Sequence, residues 1–220
     1  MDKKRIRRVL YWFAAELLII AIILWLLVYR PRGYEAVVPD ASGRISPYLT
    51  HGIAQEFYNK AQLGDPFELV IEDSALNEII ATGTWIIPQT EAQASLPVVR
   101  FLPGRAVVMA SAWLSGMEFV ATIKLSAPSH DDGRIGLSLD SVRVGAVPVT
   151  IAARAVAKRM YNEQIADLPP DHISAQVGAA IFDNQPFEPI FDVGGRRVKI
   201  NKIELRDGNV RIGFIPVKMR

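Results

Sequence analysis

The chain has no cysteine. Disulfides, thiol nucleophiles and cysteine-bound zinc are excluded, and the absence suits either side of a membrane. Histidine is scarce: His51, His130 and His172 stand in no metal-ligand spacing such as HExxH. His51 falls on the polar side of a helical stretch, His130 in a turn and His172 near a helix start, so each reads as exposed and without a role. No GxSxG, phosphate-binding loop, GxGxxG or EF-hand pattern occurs. There is no Asn-x-Ser/Thr sequon, no repeat of fixed period and no low-complexity tract. Asp131-Asp132 precedes Gly133 and reads as a solvated turn rather than a metal or catalytic pair. Nothing assembles a nucleophile, a base and an orienting group, so the expectation is a protein that is not an enzyme and uses no metal or cofactor.

What the chain does have is one long apolar run, residues 9–29, interrupted only by Glu16. As a helix it spans roughly 30 Å, the thickness of a bilayer's hydrocarbon core. A helix satisfies its own backbone donors and acceptors inside lipid. Tyr11 and Trp12 stand near one end, Trp25 and Tyr29 near the other, where amphipathic rings prefer the interface. Lys3, Lys4, Arg5, Arg7 and Arg8 precede the run and only Arg30 and Arg32 follow closely. That asymmetry predicts a cytoplasmic N-terminus and an extracytoplasmic remainder. A cleaved signal peptide would have a shorter apolar core and a small-x-small site, whereas this run ends in Tyr29-Arg30-Pro31-Arg32; an uncleaved anchor is expected. Glu16 is either a contact for a membrane-protein partner or, the plainer reading, a carboxylate that snorkels or protonates.

The formal net charge of +2 belongs to this flank. Residues 1–32 carry seven basic and two acidic side chains, and the remainder 18 basic and 21 acidic. The folded part, at −3, gives no electrostatic case for nucleic acid. About 175 residues follow the anchor and its linker, enough for one domain with a proper core.

Residues 30–45, with Pro31, Gly33, Pro39 and Gly43, read as a linker off the membrane. Ser46-Pro47 starts a helix on which Ile45, Leu49, Ile53 and Phe57 recur, stopped at Gly64. Phe67–Glu72 is a strand. Asp73 or Ser74 opens a short helix carrying Leu76, Ile79 and Ile80 that ends at Gly83. Trp85–Pro97 reads as a long loop or irregular strand. From Val98 the apolar period is two: Ala106–Leu114, Met117–Ser126 and a strand from Ile135 to Val144 form an antiparallel meander, apolar on one face and solvated on the other. On the second of these, Met117, Phe119, Ala121, Ile123 and Leu125 oppose Glu118, Val120, Thr122, Lys124 and Ser126. A helix follows from Pro148 to Ile165, with Val149, Ala152, Ala153, Val156 and Met160 on its packing stripe. Pro169-Pro170 breaks it, and a short helix runs from Asp171 to Phe182. Strands Phe187–Val193, Arg196–Arg206 and Asn209–Val217 close the chain, with a bulge expected around Ile200-Asn201-Lys202-Ile203. Arg196, Arg197, Lys199 and Lys202 read as a polar strand face, with contact to anionic headgroups the lesser alternative.

The run Asp65-Pro66-Phe67-Glu68-Leu69-Val70-Ile71-Glu72-Asp73-Ser74-Ala75-Leu76-Asn77-Glu78-Ile79-Ile80 resembles the YpmS-like group of small bacterial membrane-anchored proteins. The anchor, the Pro-Phe strand start, the Leu76-Asn77 pair, the Asp132-Gly133 turn and the exit Val144-Gly145-Ala146-Val147-Pro148 are similar, covering Pro47 to Ile165. The Trp85–Pro97 insertion and the closing hairpin depart from the pattern. The resemblance implies an extracytoplasmic α+β domain whose sheet curves around a helix, loosely similar to tubular lipid-binding domains.

The expected architecture is therefore α+β: a transmembrane helix, then a curved antiparallel β-sheet packed on amphipathic helices. Residues 1–8 form a cytoplasmic tail, 9–29 the anchor, 30–45 a linker and 46–220 the domain, in a single-pass protein of the bacterial inner membrane. Trp85, Met109, Trp113, Met117, Phe119 and Ile123 are the candidate apolar lining of a lipid site, since Met and aromatic rings adapt to an ill-defined guest. The alternative is that they simply fill the core against the helices. Two functions stay open: an envelope protein that holds or hands on lipid, and an interaction subunit docking on a partner complex.

Overall fold

The computed structural model describes residues 3–39, 44–83, 93–130, 133–165, 169 and 172–217. Helix α1 is Lys3–Leu27, and its Leu10–Leu27 stretch is long and apolar enough to cross a membrane, with none of it buried in the protein. A π-helical turn, Tyr48–Ile53, runs into α2 (Ala54–Leu63), followed by β1 (Phe67–Glu72) and α3 (Asp73–Thr82). Then come β2 (Gln93–Ala94), β3 (Val98–Leu102), β4 (Arg105–Leu114), β5 (Met117–Ser126), β6 (Ser138–Val144) and β7 (Val147–Pro148). Helices α4 (Thr150–Ile165) and α5 (Ile173–Asp183) precede β8 (Ile190–Val193), β9 (Arg196–Arg206) and β10 (Asn209–Pro216). The class is α+β, with the strands in two open antiparallel sheets.

The first sheet has the order β1-β10-β9-β8, so the early strand pairs with the last. Alternation puts Leu69, Val198 and Phe214 on one face, where Ala61 of α2 is buried against them and Phe57 packs alongside. The rings of Phe57, Phe67 and Phe214 lie 5.0–5.9 Å apart, a triad that pins the helix to the sheet. Ile45 and Leu49, expected on that packing stripe, are exposed instead; helix contact with the sheet begins only at Ile53. Ser46 is fully buried, accepts from the Leu49 N–H at 3.4 Å and donates to Glu78 of α3 at 2.6 Å. The expected bulge is present: Gly213 pairs with Lys202 and Phe214 with Ile200, leaving Asn201 unpaired.

The second sheet is the meander β2-β4-β5-β6-β7, with β3 on the other half of β4. The two sheets meet at the Asp207-Gly208 turn. There the Gly208 N–H donates to the Phe101 carbonyl, and the Gly104 N–H to the Leu205 carbonyl, each at 3.0 Å. On the outer edge of β3 the Asn77 side chain accepts from the Val99 N–H at 2.7 Å and donates to its carbonyl at 2.8 Å, taking the place of a neighbouring strand. Ile135 is not in a strand; it is fully buried and exchanges backbone hydrogen bonds with Phe187 at 2.9 and 3.0 Å.

Three further expectations are corrected. Residues 30–39, read as part of a linker, pack on the fold: Tyr34 is buried and Val37 bridges Leu96. In consequence the meander is covered on the face read as solvated, where Val120 and Thr122 are among the most buried residues. The α4 stripe points outward at Val156 and Met160, both more than half exposed. What α4 turns inward is Arg154, which donates to the carbonyls of Ile181 and Phe182 at the end of α5, and Tyr161, whose ring lies over Gly178.

Candidate functional site

Alternation on the meander decides which side chains can meet. Met109 of β4 pairs with Thr122 of β5, Val107 with Lys124, and Ser111 with Val120. On β3, Arg100 faces Val107 and Val98 faces Met109; on β6, Arg143 faces Thr122. All of these therefore share one face. The chain leaving α1 crosses it, and Tyr34 packs with Val98, Val107, Met109 and Val120. The Tyr34 hydroxyl meets Ser95 Oγ at 2.9 Å, and that oxygen also accepts from the Ser111 N–H at 2.8 Å. The Arg30 guanidinium stands 5.4 Å over the Tyr34 ring.

The end of α1 is docked directly on this sheet. The Ala146 N–H, in the β6–β7 turn, donates to the Leu26 carbonyl at 2.8 Å. Gly145 beside it has φ +57°, and a Cβ there would collide with the carbonyls of Leu26 and Leu27. The turn can approach the helix end only because position 145 has no side chain.

Between the α1 exit and the sheet face lies a half-open pocket of about 350 Å³, within the size range of small-molecule sites. Its floor is Leu102, Val107 and Met109; Tyr29 and Pro31 wall it on the α1 side. Its charged groups are Arg32, Arg100, Lys124 and Arg143, Thr122 also lines it, and no Asp or Glu among the described residues does. None of these four cations forms an ion pair or side-chain hydrogen bond among the described residues. Several lysines and arginines elsewhere are paired, as in Lys60–Glu56 at 2.7 Å and Lys199–Glu188 at 3.0 Å. Glu204 is held below its ordinary pKa by hydrogen bonds first from Arg206 and then from Lys202. Two like charges ~10 Å apart repel by about 0.4 kcal/mol in water and about 1.7 at an effective dielectric of ~20. A cluster of unpaired cations is thus destabilising on its own and favours a counter-anion. Thr122 is 7% exposed, and its Oγ1 is buried without a hydrogen-bond partner, a state that costs about 1–3 kcal/mol.

The residues expected to line an apolar site do not come together. Met109 lines the pocket. Trp113 shares its face but lies at the hairpin end, 45% exposed. Met117, Phe119 and Ile123 pair with Leu114, Ala112 and Val108, which puts them on the opposite face. A two-residue period separates Met109 and Phe119 across the sheet whenever the β4–β5 turn is Ser115-Gly116. Trp85 lies outside the described residues, as do Asp131 and Asp132. The pocket's cations were hidden because they come from four separate stretches, the α1 exit, β3, β5 and β6, and read individually as solvated positions. The legible signal was the combination of Val120 and Thr122 on a face otherwise polar.

His51 and His130 are exposed; the His172 ring accepts from the Ser174 N–H at 3.2 Å and caps α5. Among the described residues no group of three or more His, Asp or Glu could hold a metal ion. No protein-family model matches the chain, and a search of curated proteins finds no match.

Proposed function

We propose that this is a single-pass membrane protein whose domain holds a lipid or similar amphiphile in the pocket at the α1 exit. The observation that carries the reading is the position of that pocket: an apolar floor of Leu102, Val107 and Met109, opening beside Tyr29 and Pro31 where the apolar helix ends. With α1 in a bilayer, Tyr29, Arg30 and Arg32 fall at headgroup depth, so a lipid reaches the floor without crossing water. The basic N-terminal flank supports a cytoplasmic tail and an extracytoplasmic domain, and the YpmS-like resemblance supports a bacterial envelope. The charged groups described around the pocket are four cations, with no carboxylate or imidazole among the described lining residues, which favours binding over catalysis.

The test uses the full chain in liposomes containing a phospholipid with a photoreactive acyl chain. The expected result is labelling of peptides around Leu102–Met109 in addition to α1, lost in Leu102→Trp, which fills the pocket. Labelling confined to Leu10–Leu27 overturns the reading.

A second reading, an interaction subunit, is favoured by the apolar side chains that α4 leaves exposed: Val156 and Met160 on its outward stripe, 60% and 54% exposed, and Ile151 at its start, 89% exposed. It predicts a membrane complex that co-purifies with the chain and is lost in Val156→Ser/Met160→Ser, or in Glu16→Leu if α1 supplies the contact.

A further inference from the structure

The geometry points to a phosphate site inside this pocket, formed by Arg100, Lys124 and Arg143 with the Thr122 hydroxyl, for a phosphomonoester or phosphodiester group. The inference rests on the pocket reading above and adds the chemical class of the ligand's polar end. Two observations carry it independently. The first is charge: three strands each contribute a cation to one face, Arg32 adds a fourth from the α1 exit, and no carboxylate among the described residues lines the cavity. A guanidinium presents a fork of N–H donors that matches phosphate oxygens, and two such forks with an ammonium suit a phosphate better than a neutral headgroup. The second is Thr122, more than nine-tenths buried on the pocket wall, with a shielded Oγ1 that finds no partner among the described residues. Turned toward the cavity about its χ1 torsion, that hydroxyl would donate to a phosphate oxygen, and Thr122 pairs directly with Arg143 across β5–β6 on that same face.

The alternative account of Arg100, Lys124 and Arg143 is a solvated strand face. It leaves the absence of any described lining carboxylate and the unpartnered Thr122 unexplained together. The charge is also local: the domain outside the first 32 residues is net −3, yet the charged residues described around this cavity are all cations.

The source of the phosphate is either an anionic lipid headgroup or a free phosphate, and one experiment separates them. Full-length protein in phosphatidylcholine nanodiscs is offered phosphatidic acid, diacylglycerol with the same chains, and inorganic phosphate, with retained lipid read by native mass spectrometry. The expected result is at least tenfold preference for phosphatidic acid over diacylglycerol, reduced at least tenfold by Lys124→Gln/Arg143→Gln with diacylglycerol retention unchanged. Thr122→Val separates structure from recognition: it removes an unsatisfied buried hydroxyl, so thermal stability holds or rises while preference for phosphatidic acid falls several-fold. Equal retention of both lipids, insensitive to the charge variants, overturns the phosphate site and leaves lipid holding intact. Phosphate binding that disappears in Lys124→Gln/Arg143→Gln, with no lipid retained, supports the phosphate site and overturns lipid holding. Binding of none of the three, with no phosphatidylcholine retained either, overturns both; retained phosphatidylcholine that is lost in Lys124→Gln/Arg143→Gln supports both.

Discussion

A methyl group at position 145 would meet the carbonyls of Leu26 and Leu27, and the backbone there is already left-handed. Gly145→Ala therefore carries both conformational strain and a main-chain collision, together about 2–4 kcal/mol. The expected outcome is a lower melting temperature for the full chain, with faster hydrogen exchange at Ala146, whose N–H holds the Leu26 carbonyl. Unchanged exchange there would show that the helix end and the turn are not joined. Asn77 is a second position where a few atoms carry much: its amide completes both backbone groups of Val99. Asn77→Ala leaves them unpaired and is expected to cost about 2–4 kcal/mol in a denaturant titration. Glu204 sets a pH dependence. Its pKa in the folded protein lies below the ordinary 4.5, so its contribution to stability is present above that value and lost as pH falls through the depressed one. Glu204→Gln should flatten the acid limb of the stability–pH curve, and added salt should shrink the difference, because the group is at the surface.

At the scale of elements, what the sequence revealed depended on how sharply each pattern fixes a phase. β5 and β9 come out with the bounds that alternation assigned, and the Asn201 bulge falls where alternation slipped. Alternation marks two faces but does not say which is covered, and on β5 the covered face is the more polar one because the chain around Tyr34 lies across it. For α4 the periodicity itself is weak. Ala152, Ala153, Ala155 and Ala157 surround the helix with small apolar residues, so its stripe could be drawn on either side. Arg154 and Tyr161 decide the phase: the Tyr161 hydroxyl donates to the Ala175 carbonyl at 2.6 Å and its ring meets Phe182 at 5.3 Å. Gly178→Ala would place a methyl in that ring. It is expected to destabilise the protein by about 2–3 kcal/mol, while Val156→Ser changes stability by no more than about 0.5. Equal costs for the two in thermal denaturation would mean that α4 packs with its other face.

At the scale of the molecule, the helix, the segment after it and the meander form one unit, and the pocket exists only in that unit. Tyr29, Pro31 and Arg32 supply one wall; Leu102, Val107 and Met109 supply the floor. Tyr34 fastens the two together, with 3% of its surface exposed and its hydroxyl on Ser95. Removing the ring in Tyr34→Ala should cost about 3–5 kcal/mol, the range for deleting a buried aromatic, and Tyr34→Phe about 1, the worth of its hydrogen bond. Stability alone does not distinguish a wall from an ordinary core residue, so the decisive measurement is hydrogen exchange in the full chain. A flexible spacer would exchange freely throughout residues 30–39. The docked segment should instead protect the Tyr34 N–H, which donates to the Pro31 carbonyl at 3.3 Å, and the Val37 bridge to Leu96. Tyr34→Ala should erase that protection and pocket labelling by the photoreactive lipid together, while β1 and β10, on the other sheet, keep theirs. Loss of labelling with residues 34–37 still protected would place the ligand elsewhere; free exchange in the native chain would return the segment to the role of a spacer and leave the pocket without its wall.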